Sequence, residues 1–127
     1  IPEANIILGT NISSPEDMLK NILNFKKFGI TNIFLKGGHL KSKENLLTDV
    51  LLVDNKKYVF KSKYIKTKNT HGTGCSIASA ITANLFLNKS IHKSVELSRN
   101  YVHEAIKNAF EVGSGQSPLN HFYKLLK

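Results

Sequence analysis

Apolar residues between positions 14 and 36 recur first at helical and then at strand spacing. Ser14, followed by Pro15 and two acidic residues, predicts the start of a helix, because serine caps helices and proline suits their first position. Gly29 stands where a left-handed residue would end a helix of about four turns. The β-favouring segment 30–35 then predicts a buried strand, which we expect to be parallel, ended by residues 36–39. The apolar positions of the helix are Met18, Leu19, Ile22, Phe25 and Phe28.

The apolar period drops to two between residues 48 and 67. Apolar residues 50–53, a polar turn at 54–57 and a second β-favouring run at 58–60 predict a β-hairpin. Residues 64–65 predict a short third strand. A helix followed by strands indicates an α/β protein.

Two long helices are predicted in the C-terminal part. The first runs from 75 to about 88, and its dense apolar positions predict near-complete burial. Ser90 caps the second, which runs to about Phe110. Glycines at 113–115 end it, and a last short helix is predicted over 117–126. The apolar positions of the two long helices are Ile77, Ala78, Ile81, Leu85 and Phe86, then Ile91, Val95, Leu97, Val102, Ile106 and Phe110.

Composition narrows the class of protein. The chain has 127 residues, 41% of them hydrophobic and 21% charged, which is typical of one compact globular domain. No apolar run approaches the roughly 18 to 20 residues of a membrane span. The single cysteine, Cys75, excludes an internal disulfide and is compatible with a reducing cytosol, so we expect a cytoplasmic protein. Because Ile1 is preceded by no methionine, we expect a piece of a longer chain.

The formal charge of +9 raises the hypothesis of a nucleic-acid or membrane-surface binder. Arg99 is the single arginine, however, whereas proteins that bind bases and phosphates usually depend on arginine. We therefore expect no nucleic-acid or membrane partner. The densest lysine cluster indicates the solvated face of a strand pair, with attraction of an anionic ligand as the alternative. It comprises Lys56, Lys57, Lys61, Lys63, Lys66 and Lys68.

The segment 69–75 (Asn-Thr-His-Gly-Thr-Gly-Cys) is the one most suggestive of chemistry. Two glycines around a threonine, opening onto a helix, let backbone N–H groups converge where the helix dipole adds positive charge. Such a loop suits a phosphate, although a tight strand-to-helix turn explains it equally well. Cys75 in the first helical turn favours a thiolate that could serve as a base. The alternatives are a small buried residue or, with His71, a nucleophilic or metal site.

Lys36 is the second candidate. A lysine at the end of a buried parallel strand, followed by Gly37 and Gly38, occupies the place where open α/β sheets bind ligands. The alternative is a strand-end lysine with its ammonium in solvent. The histidines outside segment 69–75 have no spacing that indicates a shared ligand set, and we interpret them as surface or partly buried residues. They are His39, His92, His103 and His121.

Four segments together resemble the hydroxymethylpyrimidine/phosphomethylpyrimidine kinases of thiamine biosynthesis, which are members of the ribokinase-like superfamily. They are 35–39 (Leu-Lys-Gly-Gly-His), 48–51 (Thr-Asp-Val-Leu), 70–75 (Thr-His-Gly-Thr-Gly-Cys) and 113–122. The resemblance covers the whole chain in the right order. It is specific, because other superfamily members usually carry Asp where Cys75 stands.

The resemblance implies a three-layer α/β/α fold of ribokinase type, of which residues 1–127 are the C-terminal half of a single kinase domain. This half would contain a central sheet with a β-hairpin and two long C-terminal helices, and the N-terminal half would be absent. The implied activity is ATP-dependent phosphorylation of 4-amino-5-hydroxymethyl-2-methylpyrimidine and its monophosphate. The alternatives are a pyridoxal or pyridoxine kinase of the cysteine-bearing type and a noncatalytic nucleotide-binding module.

The resemblance also implies roles for individual residues. Gly72, Thr73, Gly74 and the Cys75 amide would form the anion hole for the transferring phosphate, with the Cys75 thiol as the base.

Further expectations follow from the resemblance. Lys36 would stabilise charge on the phosphates, and Glu3, near the end of an Asn-x-x-Glu stretch, would bind Mg²⁺ through water. The implied cofactors are ATP and Mg²⁺, and the partners are a small pyrimidine alcohol and ATP. A homodimer or the missing N-terminal half would complete the fold.

Overall fold

The computed structural model describes residues 1–38, 40 and 45–125. The chain divides into two compact units, Ile1–Tyr64 and Ile65–Lys127, which are described in turn. His39 and Leu126, which take part in the predictions above, lie outside the described residues.

Helices form the first part of the first unit. Helix α1 spans Pro2–Leu8, and the sequence analysis did not predict it. Helix α2 spans Pro15–Asn21 and continues as a 3₁₀ helix over Ile22–Phe28. Gly29 ends it in the left-handed conformation, with φ of 76°. The predicted start and end are confirmed, but the second half is wound more tightly than an α-helix.

A capping box holds the start of α2. The Asp17 amide donates to Ser14 Oγ at 3.1 Å, and the Ser14 amide donates back to Asp17 Oδ2 at 3.1 Å. Ser13 adds donations to Asp17 Oδ2 from its amide at 3.1 Å and its hydroxyl at 2.9 Å. These donors, the Ser13 amide foremost, hold the pKa of the Asp17 carboxyl below its usual value. The cap is therefore complete at neutral pH and weakens as pH falls through that lowered pKa.

The sheet of the first unit has three antiparallel strands in the order β1-β2-β3. They are β1 (Ile33–Lys36), β2 (Leu46–Val53) and β3 (Lys56–Lys63). The prediction of a parallel arrangement for the first strand was wrong, since β1 pairs antiparallel with β2. Segment 37–45, which joins them, is shorter than the dozen or more residues that a parallel crossover requires.

The predicted hairpin is confirmed as β2 and β3. Val53 pairs with Lys56, and the two turn residues, Asp54 and Asn55, have φ of 45° and 75°, as a tight hairpin turn requires. The predicted third strand at residues 64–65 was wrong, because neither residue is in a strand. The six clustered lysines are all exposed. Four of them lie on β3, whereas Lys66 and Lys68 lie outside the strands, so the predicted solvated face of a strand pair holds for part of the cluster only.

The core of the first unit lies between its helices and one face of the sheet. Leu35 and Val50, like Ile33 and Leu52, are cross-strand partners, so their side chains point to the same face. Met18 and Ile22 are fully buried against that face. The buried cluster comprises Ile1, Ala4, Leu8, Ile12, Met18, Ile22, Phe25, Leu35, Val50 and Leu52.

The second unit contains two packed helices, α3 (Thr73–Phe86) and α4 (Ile91–Lys107). Ser90 caps α4 by accepting from the Lys93 amide at 3.3 Å, as predicted. The predicted near-complete burial of the first helix was wrong, because Ile77 is the one buried residue among the described residues of α3. Many apolar residues on all sides of a helix allow it to be buried on all sides. In this chain α4 covers one side of α3, and the other side is exposed.

The closing segment contains no helix in its described part, so the predicted helix over 117–126 was wrong. Residues 121–125 form turns. Ser117 Oγ instead accepts from the Val112 amide at 2.8 Å and so closes the loop at 113–116. Asn120 then docks on the end of α4, where its amide donates to the Ala105 carbonyl at 3.1 Å. Among the described residues, no helix is both long and apolar enough to cross a membrane.

Candidate functional site

The loop at 69–75, which contains Gly72 and Gly74, leads into α3 in a conformation that leaves backbone N–H donors available. Gly72 is the N-cap residue with φ of 84°, a value that favours glycine. The Thr73 amide and hydroxyl both donate to the Thr70 carbonyl, at 3.3 and 2.6 Å. No described side chain caps the helix, and helix geometry gives the amides of Gly74 and Cys75 no intrahelical partner. These two N–H groups can therefore bind an anion.

The loop at 69–75 contacts the closing segment of the chain at 113–122. His71 forms a parallel β-bridge with Pro118, which joins the loop to the closing segment. Asn69 precedes the loop, is only 7% exposed, and donates its amide to Thr67 Oγ1 at 3.0 Å. Its side-chain oxygen is buried without a hydrogen-bond partner in the described part of the chain. These contacts hold the N-terminal end of the loop.

Cys75 is a free, exposed thiol at the edge of an open cleft of about 750 Å³. Its exposure does not fit the alternative of a small residue filling a buried junction. Tyr101 and His121 also line the cleft, and their Oη and Nδ1 atoms lie 2.6 Å apart. The sequence analysis missed this pair, because twenty residues separate its members and only the docking of the closing segment brings them together. The cleft is lined by Cys75, Ser76, Ser79, Ala80, Ala83, Asn84, Leu87, Tyr101 and His121.

Lys36 is the last residue of β1 and is half-buried. Its cross-strand partner is Asp49, whose Oδ1 accepts from the Gly37 amide at 2.9 Å. Lys36 was predicted to end a parallel strand, and this was wrong, since β1 pairs antiparallel with β2. Gly37 is needed for a reason internal to the sheet, because a Cβ there would lie 2.0 Å from the Thr48 carbonyl oxygen.

Glu3 lies in the first turn of α1, with its side chain 83% exposed. The described residues contain no cluster of three His, Cys, Asp or Glu side chains that could hold a metal ion. A single exposed carboxylate fits a Mg²⁺ that keeps most of its waters and takes its other ligands from phosphates. Glu3 and Lys36 belong to the first unit, and the loop at 72–75 belongs to the second.

Comparison with known proteins identifies the family to which the chain belongs. The family model for phosphomethylpyrimidine kinase matches residues 1–120. The chain belongs to the phosphomethylpyrimidine kinase family. It is 40% identical to the hydroxymethylpyrimidine/phosphomethylpyrimidine kinase of Bacillus subtilis, over 96% of this chain and 45% of that protein. The match confirms the resemblance inferred from the four segments.

Solved structures of two pyridoxal kinases resemble the fold of this family member. The ADP complex of Bacillus subtilis pyridoxal kinase superimposes with a TM-score of 0.87 at 26% identity, over 98% of this chain and 47% of that one. The same values hold for pyridoxal kinase from Staphylococcus aureus in complex with AMP-PCP and pyridoxal. These matches confirm the ribokinase-like α/β fold class. The chain spans a little under half the length of the relatives it matches.

The two glycines after Lys36 provide a matched test of packing. Gly37→Ala should destabilise the protein by about 1–3 kcal/mol, because its Cβ would overlap the Thr48 carbonyl oxygen. Gly38→Ala should be nearly neutral, because its Cβ would meet only Leu47 Cδ1 at 3.9 Å. Urea unfolding of both variants measures the difference. Equal midpoints would show that the close approach of β1 to β2 imposes no requirement for glycine.

Proposed function

We propose that this chain is the phosphate-binding, C-terminal half of an ATP-dependent kinase of the thiamine pathway. The substrates would be 4-amino-5-hydroxymethyl-2-methylpyrimidine and its monophosphate. The observation that carries the proposal is the loop at 72–75, whose Gly74 and Cys75 amides are free to bind an anion at the start of α3. Membership of the phosphomethylpyrimidine kinase family supports the reaction class.

The loop would act on the phosphoryl group that is transferred. Charge on its three equatorial oxygens is stabilised by donors that are already oriented, so little reorganisation is needed at the moment of transfer. Gly72 supplies the left-handed entry, and Gly74 and Cys75 supply amides. The partial positive charge at the N-terminus of α3, a helix of 14 residues, adds to the same effect.

Cys75 would be the general base. The substrate hydroxymethyl oxygen attacks the terminal phosphorus, the bond to ADP breaks in line, and the hydroxyl proton passes to the Cys75 sulfur. Its exposure on the cleft and its place in the first turn of α3, next to the free backbone donors, support this role.

Lys36 and Glu3 would serve the phosphates and their metal ion. Lys36 would contribute its ammonium to the charge on the phosphates, and Glu3 would hold waters of Mg²⁺. A bound Mg²⁺ would neutralise phosphate charge that builds up during transfer.

We propose that a further half, of about the length that the relatives possess beyond the match, completes the enzyme, with a homodimer as the alternative. The apolar side chains that α3 leaves exposed, such as Phe86 at 85%, support a covering partner. The free thiol of Cys75 supports a reducing compartment, and we place the protein in the cytoplasm.

A turnover assay distinguishes this function from pyridoxal phosphorylation, which the likeness to two pyridoxal kinases favours as the second candidate. The complete protein, supplied with ATP and Mg²⁺, should phosphorylate the hydroxymethylpyrimidine with the higher kcat/KM. Pyridoxal is the matched competing alcohol in the same assay. Preference for pyridoxal would establish the second candidate, and ATP binding without turnover of either alcohol would indicate a noncatalytic module.

Gly74→Ala tests the anion-binding loop apart from the fold. A Cβ at this position meets no atom within 4 Å, so stability should be unchanged or raised by up to about 1 kcal/mol. The added methyl would narrow the space in front of the amides, so kcat/KM should fall about 10-fold, equivalent to about 1.4 kcal/mol. Gly115→Ala, whose Cβ is equally unobstructed, is the control and should retain activity. Full activity of Gly74→Ala would favour a purely structural turn.

Cys75→Ala tests the base separately. Loss of a general base should lower kcat by about 10²- to 10⁴-fold, while KM for ATP should change little because the backbone amides remain. Ser76→Ala, the neighbouring change on the same cleft, is the control. Steady-state kinetics on the complete protein measures both parameters. Undiminished kcat would remove the base assignment and leave the anion-binding loop intact.

A further inference from the structure

The proposed mechanism makes no use of Asp49, a buried carboxylate in the middle strand of the first unit. Its residue is only 4% exposed, and Oδ1 accepts from the Gly37 amide at 2.9 Å. Burying a carboxylate is costly unless hydrogen bonds replace its lost water. A hydrogen bond to an ionised acceptor is also about twice as strong as a neutral one. This hydrogen bond therefore restrains the backbone at Gly37.

The backbone in question directly follows Lys36. Gly37 is held at both of its polar groups, since its amide donates to Asp49 and its carbonyl accepts from the Leu40 amide at 2.9 Å. Steric contact restricts it further, because the position of a Cβ would be 2.0 Å from the Thr48 carbonyl oxygen and 3.2 Å from Met18 Sδ. Gly37 is therefore restrained by two hydrogen bonds and by steric contact.

Lys36 and Asp49 are direct cross-strand partners, so their side chains leave the sheet on the same face. No ion pair within 4.0 Å joins them among the described residues. Oδ1 of Asp49 accepts from the backbone, and no carboxylate of the described residues lies within 4.0 Å of the Lys36 ammonium. The pairing places a cation beside a carboxylate that does not neutralise it by direct contact.

We propose that Asp49 is a positioning residue for Lys36: its bond to the Gly37 amide fixes the end of β1 and thereby the origin of the lysine side chain. The inference rests on the proposed role of Lys36 at the phosphates of ATP. A lysine side chain is long and flexible, so a fixed origin reduces the volume that its ammonium samples. Misplacement of about 1 Å can lower a rate by 10²-fold.

A double-mutant cycle separates positioning from a general contribution to the fold. Asp49→Asn keeps the shape and an acceptor oxygen but removes the charge, and should lower kcat/KM for ATP by about 10-fold in the complete protein. In a Lys36→Ala background the same change should cost less than about 2-fold, because its effect passes through Lys36. Asp54→Asn, in the exposed turn of the same hairpin, is the control and should be neutral in both backgrounds. Equal losses from Asp49→Asn with and without Lys36 would overturn the proposal.

Hydrogen exchange at the Gly37 amide tests the bond itself and does not depend on the substrate. The wild-type amide should exchange slowly although it lies outside the β1–β2 ladder, and Asp49→Asn should speed its exchange. Fast exchange in the wild type would overturn the proposal even if the variant does not fold. If neither alcohol is phosphorylated, the proposed function fails, and the same cycle measured by ATP affinity still decides whether Asp49 acts through Lys36.

Discussion

The first N–H groups of a helix have no partners within the helix, and α2, α3 and α4 meet that constraint in different ways. Ser14 and Asp17 satisfy the start of α2 with a reciprocal capping box, and Ser90 caps α4. Helix α3 begins at Gly72 with no side-chain cap. Its amides of Gly74 and Cys75 are the donors that remain for a ligand. The candidate phosphate site thus arises where the chain omits a cap that it uses elsewhere.

Glycine serves three different physical purposes around the candidate sites. Gly72 has the left-handed φ of 84° that turns the chain into α3. Gly37 has no room for a side chain, because the Thr48 carbonyl lies where its Cβ would be. Gly74 has neither restriction, since a Cβ there meets nothing within 4 Å. Gly74 therefore has no packing requirement for glycine, which agrees with its proposed place in front of the anion-binding amides.

Several features that depend on a few neighbouring residues were predicted correctly. The capping box at Ser14, the left-handed Gly29 and the turn between β2 and β3 depend on backbone preferences within four or five residues. The direction of β1 was predicted wrongly, because an apolar strand has the same sequence whether its neighbour runs parallel or antiparallel. The pair of Tyr101 and His121 left no signal at all, since nothing in the spacing of two such residues records that a closing segment folds back onto α4.

The sequence by itself determined the family, the starts of α2 and α4, and the entry of the loop at 72–75 into a helix, because these depend on residue types in a short, ordered pattern. The tertiary structure alone decided that Asp49 holds Gly37, that α3 buries little more than Ile77, and that the last segment docks without forming a helix. Each of these depends on contacts between residues far apart in the chain. Such contacts depend on how neighbouring helices and strands pack together. The local pattern of apolar and polar residues does not contain that information.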